Sequence, residues 1–169
     1  MSLPRWRRVL AALLVSLVLL VSACGAEPPS RYDQVQQETS GKNAPPAVAT
    51  DAEQGSSFNK FFPRSVSGYD IVPSQEKKGF AEYKVNQGNK TVAMLAISDT
   101  TGTGAADKFQ NSTMKIAGYP AVEQGSNSTA ILVNDRFQVK VLSRDPSFTK
   151  ETRADWIQKF DLRGLASLN

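Results

Sequence analysis

Phe80-Ala81-Glu82-Tyr83-Lys84-Val85-Asn86, then Gln87-Gly88-Asn89, then Lys90-Thr91-Val92-Ala93-Met94-Leu95-Ala96-Ile97-Ser98 is the stretch that decides the fold. In the first segment Ala81, Tyr83 and Val85 alternate with Glu82 and Lys84, the period of a half-buried strand. Gln87-Gly88-Asn89 is a hairpin turn. The second segment is apolar at almost every position, which predicts a central strand covered on both faces. Two strands joined this tightly must be antiparallel neighbours.

Downstream, Asp99 to Gly104 is polar and glycine-containing and reads as a loop. Ala105 to Ile116 is predicted as a helix, with Ala106, Phe109, Thr113 and Ile116 near one stripe and Gly118 as its stop. A second strand set follows at Tyr119–Gln124, Thr129–Val133 and Phe137–Ser143, with Asn134-Asp135 as a tight turn. Asp145-Pro146-Ser147 ends the sheet, and Thr149 caps a final helix with Trp156, Ile157 and Phe160 on its apolar stripe. Leu162, Leu165 and Leu168 continue it by another turn or two. Upstream, Tyr69–Gln75 reads as a strand that Pro73 confines to an edge. Ser57 can cap one helical turn holding Phe58, Phe61 and Phe62, which Pro63 stops.

The expected order is βββ-α-βββ-α, an α+β fold in which an antiparallel sheet is sandwiched with helices. A faint internal echo divides it into halves. Gly68-Tyr69 with Val72 recurs as Gly118-Tyr119 with Val122, and Val85-Asn86 recurs as Val133-Asn134. Over residues 66–169 the element order resembles the PsbP/Mog1-like α/β/α sandwich, which includes lumenal photosystem accessory proteins and several bacterial lipoproteins. The resemblance lies in element order and carries no family residues over.

The amino terminus gives a different kind of information. Arg5, Arg7 and Arg8 precede an apolar run from Val9 to Val21 that only Ser16 interrupts. The run is too short to span a bilayer comfortably, since a spanning helix needs about 20 apolar residues. It ends at Val21-Ser22-Ala23-Cys24, and Cys24 is the only cysteine. A charged start, an apolar run and small residues at the end form a secretory signal. Val21, Ser22, Ala23 and Cys24 resemble the lipobox of bacterial lipoproteins. That resemblance implies a diacylglyceryl group on the Cys24 thiol, cleavage just before it, and anchoring by membrane lipid through the acylated cysteine. Precursor and domain together are similar to uncharacterised lipoproteins of cyanobacterial type.

The expected organisation is therefore a signal peptide at 1–23, a lipidated tether at 24–57 and one α+β domain at 58–169. The tether is rich in Pro, Ser, Gln and Ala and cannot bury enough surface to fold alone. Chain of that length and composition has an r.m.s. reach on the order of 30 Å.

Loss of Arg5, Arg7 and Arg8 with the signal leaves 17 of the 20 basic side chains against 16 acidic ones, a net of +1. That balance gives no case for nucleic-acid binding. The chain has no histidine. Histidine triads, and zinc sites built from His and Cys, are excluded, and an acylated Cys24 is no nucleophile. No phosphate-binding glycine loop, dinucleotide fingerprint or calcium loop is present. No cofactor is expected.

Four further candidates each have a plainer reading. Arg136, Lys140 and Arg144 occupy alternating positions on one strand, either a basic stripe for a partner or the wet side of a sheet. Trp156 with Phe160 either lines an apolar pocket or joins the core. Gly79 to Lys84, following Gln75-Glu76-Lys77-Lys78, is either a charged hairpin lip for a partner or a solvated loop before a strand. Asp99 to Gly104 either cradles an anion at a helix start or simply connects two elements.

The function expected from sequence is a non-enzymatic binding or accessory module for a membrane complex, with a membrane protein as partner. The alternatives are a carrier of a small apolar or lipid ligand and a carboxylate- or Ser-Lys-based enzyme. The expected location is extracytoplasmic and membrane-anchored: an outer membrane or periplasmic face, or the lumenal face of a thylakoid.

Overall fold

Strand patterning dominates the chain, and one seven-stranded antiparallel sheet results. The computed structural model describes residues 49–64 and 66–168. The expected signal, the lipobox and most of the tether lie outside the described residues. In chain order the strands are β1 (Asp70–Lys77), β2 (Phe80–Gln87), β3 (Lys90–Asp99), β4 (Lys115–Ile116), β5 (Tyr119–Gln124), β6 (Ser128–Val133) and β7 (Phe137–Ser143). Their order across the sheet is β1-β2-β3-β7-β6-β5-β4. The class is α+β, with 3-10 turns η1 (Gly55–Phe61) and η2 (Asp107–Phe109) and helices α1 (Lys150–Ile157) and α2 (Leu162–Ala166).

The internal echo falls on equivalent places. β1-β2-β3 and β5-β6-β7 flank the central β3–β7 pair as two meanders. Each is entered by the same small device. Val66 pairs with Tyr69 across Ser67-Gly68, and Ile116 pairs with Tyr119 across Ala117-Gly118. Gly68 and Gly118 take φ of 82° and 88°, where a side chain would be strained. The second echo marks the last hairpin of each half. Asn134 and Asp135, both at φ 52°, close the β6–β7 turn in the backbone form that suits a two-residue hairpin.

One face of the sheet carries the core. Val85, Leu95, Ile97, Val139, Val141 and Ile131 point to it, and η1, α1 and α2 cover it with Phe58, Phe61, Trp156, Ile157 and Leu165. The phenylalanines of η1 are central rather than peripheral: Phe58 is fully buried, and Phe62 stacks on Tyr83 at 4.2 Å.

Packing also starts upstream of Phe58. Ala52 is buried, and Gly55 sits where an added Cβ would meet the carbonyl oxygens of Lys77 and Phe80 at 2.4 and 2.5 Å. Neither backbone oxygen can give way cheaply. Gly55→Ala is therefore expected to destabilise the domain by about 1–3 kcal/mol; the shift in the urea midpoint measures it.

The helix expected over Ala105–Ile116 does not form. Gly104 to Gln110 closes successive i→i+3 turns and stops. Asn111-Ser112-Thr113 has low helix propensity. Ser112 is also committed elsewhere: its hydroxyl donates to the Ala121 carbonyl, and Met114 N donates back to it. Such local side-chain bonding competes with helix. Lys115 and Ile116 then pair with β5 as β4. The second face of the sheet consequently receives one 3-10 turn instead of a helix.

Candidate functional site

Among the described residues, the face of the sheet opposite η1, α1 and α2 has only η2 over it. β3 is buried, as expected of a central strand, yet Met94 and Ala96 belong to neither apolar cluster. Strand register explains their low exposure. Met94 lies between Lys84 and Leu142, and Ala96 between Glu82 and Lys140. Cross-strand neighbours stand about 5 Å apart, so these longer side chains screen the smaller ones from water. Val72, opposite Lys84, is 40 % exposed and the one large apolar side chain exposed among the described residues.

At the far side η2 covers part of this face. Phe109 packs on Ala130 and Leu132. Beside it lies an open groove of about 400 Å³ lined by Ala106, Phe109, Gln110, Pro120, Leu132 and Asp135. Lys108 on η2 carries its Nζ over the Phe109 ring, 5.4 Å from the centroid. Burial first, and the Lys140 charge second, hold the Lys108 ammonium below its ordinary pKa. Lys77 lies over the Phe80 ring at 5.2 Å. The three ion pairs among the described residues, Lys90–Asp145, Arg136–Asp99 and Arg153–Glu123, use none of Lys77, Lys84, Lys108 and Lys140.

The basic stripe expected on β7 is divided by these pairs. Lys140 stays on the uncovered face. Arg136 turns its guanidinium to Asp99, with Nη2 at 2.8 Å from Oδ2, and lies over the Phe137 ring. Arg144 follows the end of β7, donates its backbone N–H to Val92, and borders another cleft. Trp156 is core, not a pocket wall: it is 3 % exposed and meets Tyr69 edge-on at 5.2 Å. Sequence reading takes Lys84 only as the end of a charged lip and does not single out Lys108. The alternation of β2 put Lys84 outside, but only the register of four strands brings it beside Met94 and Leu142.

Asp99 to Gly104 is not an anion cradle, because its polar groups serve each other. Asp99 accepts from the N–H groups of Glu53 and Thr101, and Thr103 N and Ala105 N are bonded within the loop. Burial opposes ionisation of Asp99. Hydrogen bonds from Arg136 and Thr101 and from the backbone at Glu53 outweigh it and lower its pKa to about 2. A carboxyl lowered in the folded state stabilises above its unfolded pKa, and that contribution disappears as pH falls through the folded value. About 2 kcal/mol of stability should therefore be lost between roughly pH 4 and pH 2, and Asp99→Asn should flatten that part of a stability–pH curve.

The charged lip is likewise tied back. Lys78 Nζ donates to the Thr50 carbonyl, Asn59 donates to Glu76, and Gly79 N donates to Glu53 O. These bonds fix the entry of the chain at one corner of the sheet, where Ala49 abuts Gly102.

A second cleft of about 360 Å³ lies between the β5–β6 turn and the start of α1, with Arg144, Lys150 and Arg153 on its walls. The donors of Arg153 and of the helix start are occupied. Thr149 Oγ1 accepts from Thr152 N, and Arg153 uses all three of its nitrogens on Thr129, Ser143 and Glu123. Among the described residues no three His, Cys, Asp or Glu side chains gather as metal ligands, and no helix is long and apolar enough to cross a membrane. The chain matches no protein-family model, and neither a curated protein nor a solved structure is significantly similar to it.

Proposed function

We propose that this chain is a membrane-anchored extracytoplasmic lipoprotein whose domain is a non-catalytic binding or accessory module of a membrane complex. One observation carries the reading: Val21-Ser22-Ala23-Cys24 closes a basic and apolar leader and holds the only cysteine. Two acyl chains give stable anchoring where one is marginal. Anchoring then raises the local concentration of the domain near any membrane partner, so modest affinity suffices.

Two features of the domain agree with this role. The sheet has one face committed to the core and one face left free for contact. The space between sheet and helices is filled by Phe58, Leu95, Phe137 and Ile157, all fully buried, which weighs against carriage of an apolar ligand there. The PsbP/Mog1-like affinity belongs to the same proposal and rests on the two three-stranded halves. The missing middle helix counts against it. A photosynthetic membrane is the setting that affinity favours.

The test is metabolic palmitate labelling with crosslinking of the native membrane-bound protein, wild type against Cys24→Ala. The expected result is label on the wild type alone, with one membrane complex captured by it and lost from the variant. An unlabelled wild type in a soluble fraction would end the lipoprotein reading. A co-purifying lipid with no protein partner would transfer support to the carrier.

A further inference from the structure

We propose that the uncovered face of the sheet lies against an anionic lipid surface, with Lys84, Lys108 and Lys140 meeting headgroup phosphates. The proposal takes the presence of a membrane from the lipoprotein reading, but the contact itself needs no acyl chain. Three observations converge on this face.

The first is charge. Lys84, Lys108 and Lys140 enter none of the ion pairs among the described residues. Register places Lys84 opposite Met94 and Lys140 opposite Ala96, so the two lysines stand on one face on either side of β3. Ammonium groups gathered without paired carboxylates attract an incoming anion. Asp70 and Glu82 on the same face and Asp107 on η2 are the opposing acids, and Asp107 already holds Gln110. Compact ammonium groups on long stems suit a surface of many phosphates better than one fixed bidentate ligand.

The second is apolar exposure. Val72 is the large apolar side chain left in water, and register sets it directly beside Lys84. An apolar tip beside a lysine fits the headgroup boundary, where stem and tip bury while the charge stays wet.

The third is the route of the chain. It enters at the corner where Ala49 abuts Gly102, in the loop that leads into η2 and Lys108. Cys24 is 25 residues upstream of Ala49. That length reaches at most about 85 Å, so an anchored Cys24 leaves the face free to turn to the membrane.

The experiment uses residues 45–169, a compact unit of the chain. Circular dichroism and a cooperative urea transition establish that it is folded before vesicles are added, and without Cys24 it cannot bind through an acyl group. Co-sedimentation is measured with phosphatidylglycerol vesicles and with phosphatidylcholine vesicles. Binding is expected to the first and not to the second. Release is expected at about 1 M salt, where screening acts within about 3 Å. Lys84→Glu with Lys140→Glu should weaken binding at least about thirtyfold, since each surface lysine contributes about a factor of five. Lys108→Glu alone should weaken it less. Lys159→Glu with Arg163→Glu, exposed on the helix side, should change nothing, and circular dichroism checks that each variant is folded.

No binding to the anionic vesicles overturns the proposal, as does equal binding to both vesicles or equal loss in the helix-side variant. Capture of a membrane protein by this face with no affinity for lipid overturns it in favour of a protein partner. Palmitate labelling of Cys24 is unaffected by any of these outcomes, so failure here leaves the lipoprotein reading to its own test.

Discussion

Phe58→Ala is expected to cost about 4 kcal/mol of folding stability. Phe58 is fully buried in η1 and meets Phe137 edge-on at 5.8 Å, so the substitution loses both the transfer of a ring from water and an aromatic pair. The position makes the loss worse. α1 packs on β6 and β7, whereas β1 and β2 receive their cover from η1. That cover is seven residues of 3-10 turn, held at one end by Gly55 against β1 and β2 and at the other by Phe62 between Tyr83 and Phe160. The helix beside η1 is α2, only five residues long. Single domains are stable by about 5–15 kcal/mol, so the variant should be near half-unfolded in moderate denaturant where the native protein is intact. Urea unfolding followed by Trp156 fluorescence measures it. A loss below about 1 kcal/mol would mean that η1 is an attached flap rather than part of the core.

Strands were legible in the sequence because their signals are local. Phe137, Val139 and Val141 alternate with Gln138 and Lys140, so β7 has the bounds that alternation predicts. β5 does too, and Pro73 marked β1 as an edge. The missing helix at 105–116 is not legible because Ala106, Phe109, Thr113 and Ile116 keep helical spacing whether or not Ser112 is bonded to Ala121, nine positions along in β5. The missing helix changes the functional reading, since it is what leaves Lys84, Met94 and Leu142 uncovered. Arg136 and Arg144 share a side by spacing alone, but Asp99 claims one and the end of β7 removes the other. The tether boundary was set late for a related reason: Ala52 and Gly55 are small residues, and nothing in composition says that Asp99 and Lys78 will hold the backbone around them.

Arg153→Met should cost about 2–3 kcal/mol, the largest effect expected of any charged residue described. Arg153 is 3 % exposed, an unusual place for a guanidinium. Its burial is tolerated because every nitrogen is used. Nε donates to Thr129 Oγ1 at 2.8 Å, Nη1 to Ser143 Oγ at 3.1 Å and Nη2 to Glu123 Oε2 at 2.7 Å. One side chain on α1 thereby holds β5, β6 and β7. Methionine fills comparable volume but leaves Glu123 without its cation and Ser143 without a donor. Breaking a buried pair from one side costs about 3–5 kcal/mol; the lower figure applies because the Glu123 side chain is 26 % exposed and water can reach it. An eight-residue helix has no stability of its own, so α1 depends on this anchor and on Trp156. Hydrogen exchange in α1 should accelerate by the same free energy that global unfolding loses. Glu123→Gln combined with Arg153→Met should cost less than the sum of the singles, since the orphaned charge is gone. Lys90→Ala gives the scale: its lysine is 68 % exposed, and loss of its pair with Asp145 should change stability by less than about 1 kcal/mol. If Arg153→Met costs no more than Lys90→Ala, water replaces the guanidinium and α1 is held by Trp156 and Ile157 alone.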